Sequence, residues 1–161
     1  MAYTGVRPGE ARGLRWEEWD RAKKHIAIRR SVWHKEVGTT KTEQSERFVT
    51  VTEELREILL ELWNGQGMPL GGYILAGLKG QPVNLDNMAK RVIIPAVPQW
   101  HGWYALRRFL GTQVRMHADS ETSAKALGNS KAVADRHYIK PETVLPDVRR
   151  AVNDALSGLV Q

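Results

Sequence analysis

Four short strings in this sequence group side chains that could bind and attack a phosphate. They run over Thr4–Glu10, Thr40–Arg47, Tyr104–Arg108 and His137–Lys140. Their arginines carry guanidinium groups, which are planar, permanently charged donors suited to the non-bridging oxygens of a phosphate. Their tyrosines carry phenols, which have a pKa of about 10 and become nucleophiles only when the proton is taken or nearby cations stabilise the oxyanion. The strings therefore indicate a candidate site for phosphate chemistry.

Other kinds of catalytic chemistry are not indicated. The chain has no Cys, which excludes disulfides, thiolate zinc sites and cysteine nucleophiles. No P-loop, G-x-S-x-G or G-x-G-x-x-G motif occurs. The histidines do not have the spacing of metal ligands: they are His25, His34, His101, His117 and His137. We expect neither a metal ion nor a cofactor.

The charge distribution favours an anionic partner at the two ends of the chain. The 161 residues include 24 Lys and Arg against 18 Asp and Glu, a net charge of +6. Residues 1–50 carry 11 basic and 7 acidic side chains, residues 51–100 carry 4 and 5, and residues 101–161 carry 9 and 6. The length fits one domain with a continuous core. No apolar run is long enough to span a membrane and no secretory signal is present, so we expect a cytoplasmic protein.

The elements that must position these strings are mainly helical. Apolar spacing predicts helices over 8–14, 121–127, 131–137 and 146–160, and a longer one that begins at 102 or 103 and ends at 116. Two more helices have predicted N-terminal caps: one is capped by Thr52 and runs through Leu62, and the other is capped by Asn84 and runs to Ile93. Pro95 is predicted to end the helix that Asn84 caps. Alternation predicts one small antiparallel sheet. Its strands are His25–Trp33, either Lys35–Val37 or Thr39–Thr42, and Arg47–Val51, with Gly38 in a turn; Tyr73–Ala76 is a further short strand.

Taken in order, the four strings resemble the motifs of the tyrosine recombinases, the phage integrase family. Thr4–Glu10 is similar to the family's T-G-x-R-x-G-E box, and residues 14–16 follow it as L-R-W. Trp100–Arg108 is similar to the W-H-G-W-H-A-L-R-R form of one branch, and His137–Lys140 to that branch's H-Y-I-K ending. The resemblance covers residues 4–140. It implies an α+β, mainly helical catalytic domain with one small antiparallel sheet, the fold of DNA breaking and rejoining enzymes.

The resemblance also implies an activity, site-specific DNA recombination. Arg7 and Arg107 match the two family arginines that bind the phosphate. Tyr138 matches the nucleophile, which leaves a 3′-phosphotyrosine and a free 5′-hydroxyl without ATP or metal. Lys41 matches the acid that protonates the departing 5′-oxygen. Taken singly, without the other motifs, Arg7 and Lys41 would be interpreted as solvated surface residues. Tyr138 could then be a buried aromatic whose hydroxyl is hydrogen-bonded.

Two positions depart from the family pattern. Tyr104 stands where the family usually has His, and Asn129 where it has His or Trp. A phenol or an amide can hydrogen-bond a phosphate oxygen, but neither is a general base near pH 7. Lost acid–base assistance is worth ~10²–10⁴-fold in rate. The sequence thus leaves two main interpretations, a recombinase of reduced activity and a degenerate, non-catalytic DNA-binding remnant; a basic helical scaffold that does not bind DNA is a third.

Four further residues are candidates for supporting roles. His101 and His137 could substitute as proton donors or contact DNA. Arg108 is adjacent to Arg107 and must face another direction on the helix, which suits a contact to a backbone phosphate or a salt bridge. Lys140 completes the H-Y-I-K string and is a further candidate DNA contact.

The resemblance further implies what surrounds this domain. Family members carry a DNA-clamping domain and a further helix ahead of the first arginine box, which begins here at Thr4. We therefore interpret residues 1–161 as a catalytic domain without those parts. The expected partners are double-stranded DNA and, on DNA, further copies in a tetramer, with a monomer expected otherwise. The apolar stripe of the last predicted helix either packs on a neighbouring copy or closes its own core.

Overall fold

A computed structural model of the chain describes residues 1–33, 36–39 and 47–127. These residues fall into two compact units, Arg7–Trp103 and a second in which Met1–Val6 joins the chain from Tyr104 onward. The elements are α1 (Pro8–Gly13), a 3₁₀ turn (Trp16–Glu18), β1 (Trp19–Asp20), β2 (His25–Ile28), β3 (Arg30–Trp33), β4 (Glu36–Thr39), β5 (Arg47–Thr50), α2 (Glu53–Gly65), α3 (Leu85–Met88), a π-helical turn (Ala89–Ile93), α4 (Ile94–Ala96), α5 (Trp103–His117) and α6 (Ser120–Leu127). The predicted α+β, mainly helical class is confirmed.

The five described strands form two small antiparallel sheets. In the first, β2 lies between β1 and β5, so that Ile26 is opposite both Trp19 and Val49. In the second, β3 pairs with β4, with Val32 opposite Val37. The strands were predicted as one sheet, but the pairing divides them between two.

Two details of the predicted strands were wrong. The stretch His25–Trp33 is interrupted at Arg29, because β2 and β3 pair with partners in different sheets. Gly38 was predicted in a turn, whereas it lies within β4, opposite Ser31. Glycine is common in turns, but here the ladder with β3 decides its conformation.

Helix α1 lies very close to β3. Gly9 and Gly13 are one turn apart on this helix. A Cβ atom on Gly13 would lie 2.7 Å from the carbonyl oxygen of Arg30, and one on Gly9 would collide with the Ser31 hydroxyl. Because only glycine lets the two backbones come this close, Gly9 and Gly13 determine where α1 lies against β3.

The core of the unit Arg7–Trp103 is apolar and contains side chains from most of its helices and strands. Its buried apolar side chains include Ala11, Trp16, Trp19, Ile26, Ile28, Val32, Val49, Val51, Leu59, Ile74 and Leu85. Gln66 links two of these residues by hydrogen bonds. The Trp16 indole N–H donates to Gln66 Oε1 at 2.9 Å, and Gln66 Nε2 donates to the Ile74 carbonyl at 2.8 Å.

Helix α2 starts where the sequence predicted. The Thr52 hydroxyl accepts from the Leu55 N–H at 3.3 Å, and Glu53 and Glu54 occupy the first turn. A side-chain acceptor satisfies an N–H that no helical carbonyl reaches, and acidic groups are favourable beside it.

The predicted strand Tyr73–Ala76 was wrong. Tyr73 and Ala76 each make a single bridge, with Arg15 and Pro82, and no ladder develops. Glycines at 71, 72 and 77 flank this stretch and leave too short a run for continuous pairing.

The predicted end of the next helix was also wrong. Asn84 caps α3 as predicted, its side chain accepting from the Asn87 N–H at 2.9 Å. The helix then passes through the π-helical turn into α4 and reaches Ala96, beyond Pro95. Proline lacks the N–H for an ordinary helical bond, and the change in hydrogen-bond pattern ahead of it lets the helix continue.

The second unit contains α5, α6 and the first six residues. Leu110 and Val114 of α5 are buried, with Tyr3 and Ala118 packed against them. The Asp119 carboxylate accepts from the Thr122 N–H at 2.7 Å and caps α6. The predicted helices 131–137 and 146–160 lie outside the described residues. No helix in the described part of the chain is long and apolar enough to cross a membrane.

Candidate functional site

Arg7 lies at the N-terminus of α1, where a single carboxylate binds it twice. Its backbone N–H donates to Glu10 Oε2 at 2.7 Å, and its Nη1 donates to Glu10 Oε1 at 2.7 Å. The Arg7 side chain is 37% exposed and that of Glu10 only 3%. A buried carboxylate therefore holds an arginine whose side chain remains partly exposed.

A second arginine holds the same carboxylate from the sheet. Arg47, the first residue of β5, donates through Nη1 to Glu10 Oε1 at 3.2 Å and through Nη2 to Glu10 Oε2 at 2.9 Å. Such a two-pronged bond fixes direction as well as distance. Arg7, Glu10 and Arg47 form what we name the Arg7–Glu10–Arg47 cluster.

The charge state of this cluster follows from its contacts. Burial by itself would raise the pKa of Glu10, but the hydrogen bonds and charge of Arg47, followed by the hydrogen bonds of Arg7, outweigh it. The pKa of Glu10 consequently lies below its usual range. Glu10 is ionised at neutral pH, and the three groups together carry one net positive charge.

Sequence analysis identified Arg7 but missed Glu10 and Arg47. The spacing of Arg7 and Glu10, three residues apart at a helix start, is a signal that could have revealed the first contact. Arg47 is 37 residues from Glu10. Nothing local in the sequence marks that pairing.

Arg107 has a different environment, in the second unit. It lies on α5 and is only 3% exposed. Its Nη1 donates to the Gly5 carbonyl, and its Nη2 donates to the Leu127 carbonyl at 2.7 Å. Gly5 has a φ of +62°, and a Cβ there would lie 2.6 Å from the Leu127 side chain. One buried guanidinium thus joins the N-terminal turn to the end of α6.

The other described candidates are exposed. Tyr104, in the first turn of α5, is 56% exposed, and Arg108 is exposed next to the buried Arg107. The prediction that the two adjacent arginines face different directions is confirmed. His101 is exposed just ahead of α5. The remaining candidates lie outside the described residues: Lys41, Asn129, His137, Tyr138 and Lys140.

A small cavity of about 70 Å³ lies beside α1. It is lined by Pro8, Gly9, Arg12, Val32, Trp33, Asn84, Leu85, Asp86 and Trp103. This is room for a few water molecules. Within residues 1–33, 36–39 and 47–127, no cluster of three His, Cys, Asp or Glu could hold a metal ion.

Comparisons with known proteins find similarity in structure. No protein-family model and no curated protein sequence matches this chain. The crystal structure of XerA recombinase matches 99% of this chain and 54% of its own, with a TM-score of 0.67 and 17% identity. The chain therefore shares its fold with part of that structure.

The Tn1549 transposon integrase has the same fold. Its complex with transposon right-end DNA matches 99% of this chain and 56% of its own, with a TM-score of 0.67 and 13% identity. Its complex with circular-intermediate DNA matches 98% and 57%, with a TM-score of 0.68 and 14% identity. This chain spans slightly more than half the length of these proteins. The helices and small antiparallel sheets described above match part of these structures.

Proposed function

We propose that this chain cleaves and rejoins DNA strands in site-specific recombination. The observation that carries the proposal is the fold, shared over nearly the whole chain with XerA recombinase and with an integrase solved on transposon DNA. The four ordered motifs support it independently, since they come from local sequence rather than from the fold. Double-stranded DNA is the proposed substrate, and a tetramer on DNA the proposed assembly.

In the proposed reaction the Tyr138 oxygen attacks a backbone phosphorus atom. A bond forms between that oxygen and phosphorus, and the bond from phosphorus to the 5′-oxygen breaks. Lys41 gives a proton to the departing 5′-oxygen, and the phenol proton passes to a neighbouring acceptor or to water. Arg7 and Arg107 stabilise the negative charge that develops on the non-bridging oxygens. Tyr104 and Asn129 add hydrogen bonds to them.

The surroundings of Arg7 suit this role. Its guanidinium is held at the protein surface by a buried carboxylate, so little side-chain entropy is lost when a phosphate binds. The positive end of α1 starts at the same residue, but the helix has only six residues and adds little.

A second candidate function is DNA binding without cleavage. Two observations favour it. Tyr104 is a phenol where a recombinase usually has an imidazole, and Arg107 is buried with its guanidinium on two backbone carbonyls. A chain that keeps the fold and the basic charge would still bind DNA through its phosphates.

Trapping of a covalent adduct tests the proposal. Duplex substrates with a nick next to the cleaved phosphate lose the 5′-hydroxyl strand and cannot rejoin, so a covalent complex accumulates. Since the target sequence is unknown, a pool of random nicked duplexes is incubated with the protein and the covalent fraction is isolated under denaturing conditions. We expect an adduct that Tyr138→Phe abolishes and the matched Tyr73→Phe variant preserves. An adduct that survives Tyr138→Phe contradicts the nucleophile assignment.

Restoring histidines separates the two candidate functions. If the wild-type protein forms no adduct but Tyr104→His with Asn129→His does, the natural chain is a DNA binder that has lost catalysis. If the wild-type protein forms the adduct and the double variant forms it faster, the natural chain is a slow recombinase.

A further inference from the structure

Lys90 and Arg91 are two adjacent cations that the proposed reaction does not use. They lie in the π-helical turn Ala89–Ile93, and both are exposed. Within the described part of the chain, neither of them forms an ion pair. They belong to residues 51–100, where five acidic side chains outnumber four basic ones, so the charge distribution along the sequence did not point to them.

The helix that carries these two cations has a packed inner face. Leu85 and Ala89 are buried and Ile93 is half-buried, at intervals of four residues. Side chains at this interval lie on the same face of a helix. Lys90 and Arg91 fall between Ala89 and Ile93 and lie on the outer face. The packed inner face therefore fixes the backbone from which both cations project.

This helix begins beside the start of α1. Pro8 of α1 and Asp86 of α3 both line the small cavity described above. Pro8 directly follows Arg7, the proposed phosphate ligand. Lys90 is four residues after Asp86, about one turn along the same helix. The two cations are therefore presented a short distance from the proposed phosphate site, within the same compact unit.

The local charge of this helix is favourable for a polyanion. Residues 85–96 include one acidic side chain, Asp86, and it lies in the first turn, where the helix dipole stabilises a negative charge. An exposed lysine or arginine by itself is usually only solvated. Here two such residues are adjacent and lie in a π-helical turn, a feature that is frequent at functional sites.

We propose that Lys90 and Arg91 bind backbone phosphates of duplex DNA near the phosphate that is cleaved. They hold the duplex and make or break no bond. Lysine supplies a compact charge, and arginine supplies a planar set of donors for phosphate oxygens. This inference rests on the proposed function, in which duplex DNA is the substrate. It adds a binding surface outside the four sequence strings.

The salt dependence of DNA binding tests this surface. Binding of the full chain to a fluorescein-labelled mixed-sequence duplex is followed by fluorescence anisotropy between ~50 and ~200 mM salt. Each phosphate contact contributes about 0.9 to the slope of log K against log[salt], so Lys90→Gln with Arg91→Gln should lower the slope by about 1.8. The ratio of wild-type to variant affinity should then shrink about twelvefold over this range of salt.

Lys23 and Arg56 provide a matched control in the same unit. Their side chains are 73% and 48% exposed, and each has a carboxylate partner, Asp20 at 3.5 Å and Glu53 at 3.6 Å. Lys23→Gln with Arg56→Gln removes the same two charges from the surface. We expect this control to leave the slope unchanged. An equal fall in slope for both double variants would mean that only net charge matters, and would overturn the proposal.

The absence of Cys from the chain permits a direct test of contact. Val92, next to Arg91, is 57% exposed, and Ile58 on α2 is 49% exposed. Val92→Cys and Ile58→Cys are each labelled with a photoreactive aryl azide and irradiated with the same duplex at equal occupancy. We expect DNA crosslinks from position 92 and far fewer from position 58. Equal yields would contradict the proposal, and this measurement decides it if the Lys90 and Arg91 double variant does not fold.

The outcomes separate this inference from the proposed function. If the wild-type protein binds DNA and the Lys90→Gln, Arg91→Gln variant has an unchanged slope, the phosphate-binding surface is overturned and the proposed function is intact. If the wild-type protein binds DNA but forms no covalent adduct, cleavage alone is overturned, because the slope and crosslinking measurements need only binding. A wild-type protein that binds no DNA overturns both.

Discussion

The adjacent residues Arg107 and Arg108 offer a sharp test of the structure, because one is buried and the other exposed. Arg107→Met replaces a buried guanidinium by an apolar side chain of similar length. It removes the donors to the Gly5 and Leu127 carbonyls. Arg108→Met removes the same charge from the same helix at an exposed position.

The expected magnitude follows from those two bonds. Hydrogen bonds to a charged group contribute about 1.5–3 kcal/mol each, which puts the pair at roughly 3–6 kcal/mol. Part of that is offset, because the variant no longer buries a charge. We expect a net loss of about 2–4 kcal/mol in the free energy of unfolding for Arg107→Met. For Arg108→Met we expect a change within about 0.5 kcal/mol.

Urea unfolding followed by far-ultraviolet circular dichroism measures both variants. Arg107→Lys is a third variant to measure. Because a lysine carries one compact charge and cannot span both carbonyls, we expect its loss in the free energy of unfolding to lie between those of Arg107→Met and Arg108→Met. The slope of the transition should be unchanged if only stability is affected.

The reasoning is refuted by either of two results. One is a loss below about 1 kcal/mol for Arg107→Met, which would mean that the two carbonyl bonds contribute little. The other is an equal loss for Arg108→Met, which would mean that the charge matters and its burial does not.

Three further predictions concern the first unit. The pKa of Glu10 is lower in the folded protein than its usual 4.5, so stability is full above that value and is lost as the pH falls through the folded pKa; Glu10→Gln should flatten this acid limb in urea titrations. Gly13→Ala should cost about 1–3 kcal/mol through contact with the Arg30 carbonyl. Gly65→Ala, with nothing near its Cβ, should be neutral or stabilising by up to ~1 kcal/mol, and equal melting temperatures for these two variants would contradict the close approach of α1. Thr52→Ala should cost about 1 kcal/mol and Thr52→Ser much less, as thermal unfolding will show.

Local features of the fold were predictable from the sequence. The start of α2 at Thr52, the cap of α3 at Asn84 and the position of α5 are each encoded within a few residues. A cap satisfies N–H groups one turn away, and an apolar stripe repeats every three or four residues. Such signals are complete within the segment that they describe.

The pairing of strands was less predictable. The break at Arg29 and the place of Gly38 within β4 depend on which distant strand each residue meets. Alternation identifies a strand but does not name its partner. The end of the helix near Pro95 also differed, because a change in hydrogen-bond pattern let the chain continue.

For the candidate site, the sequence by itself determined which side chains can bind phosphate, since guanidinium and phenol chemistry belongs to the residue type. Only the tertiary structure decided their environments. It joined Arg47 to Glu10 across 37 residues and Arg107 to Gly5 across 102. Such contacts are favourable only when folding removes the competing water, and no local pattern records them. The same residue type is therefore partly exposed at Arg7 and buried on two backbone carbonyls at Arg107.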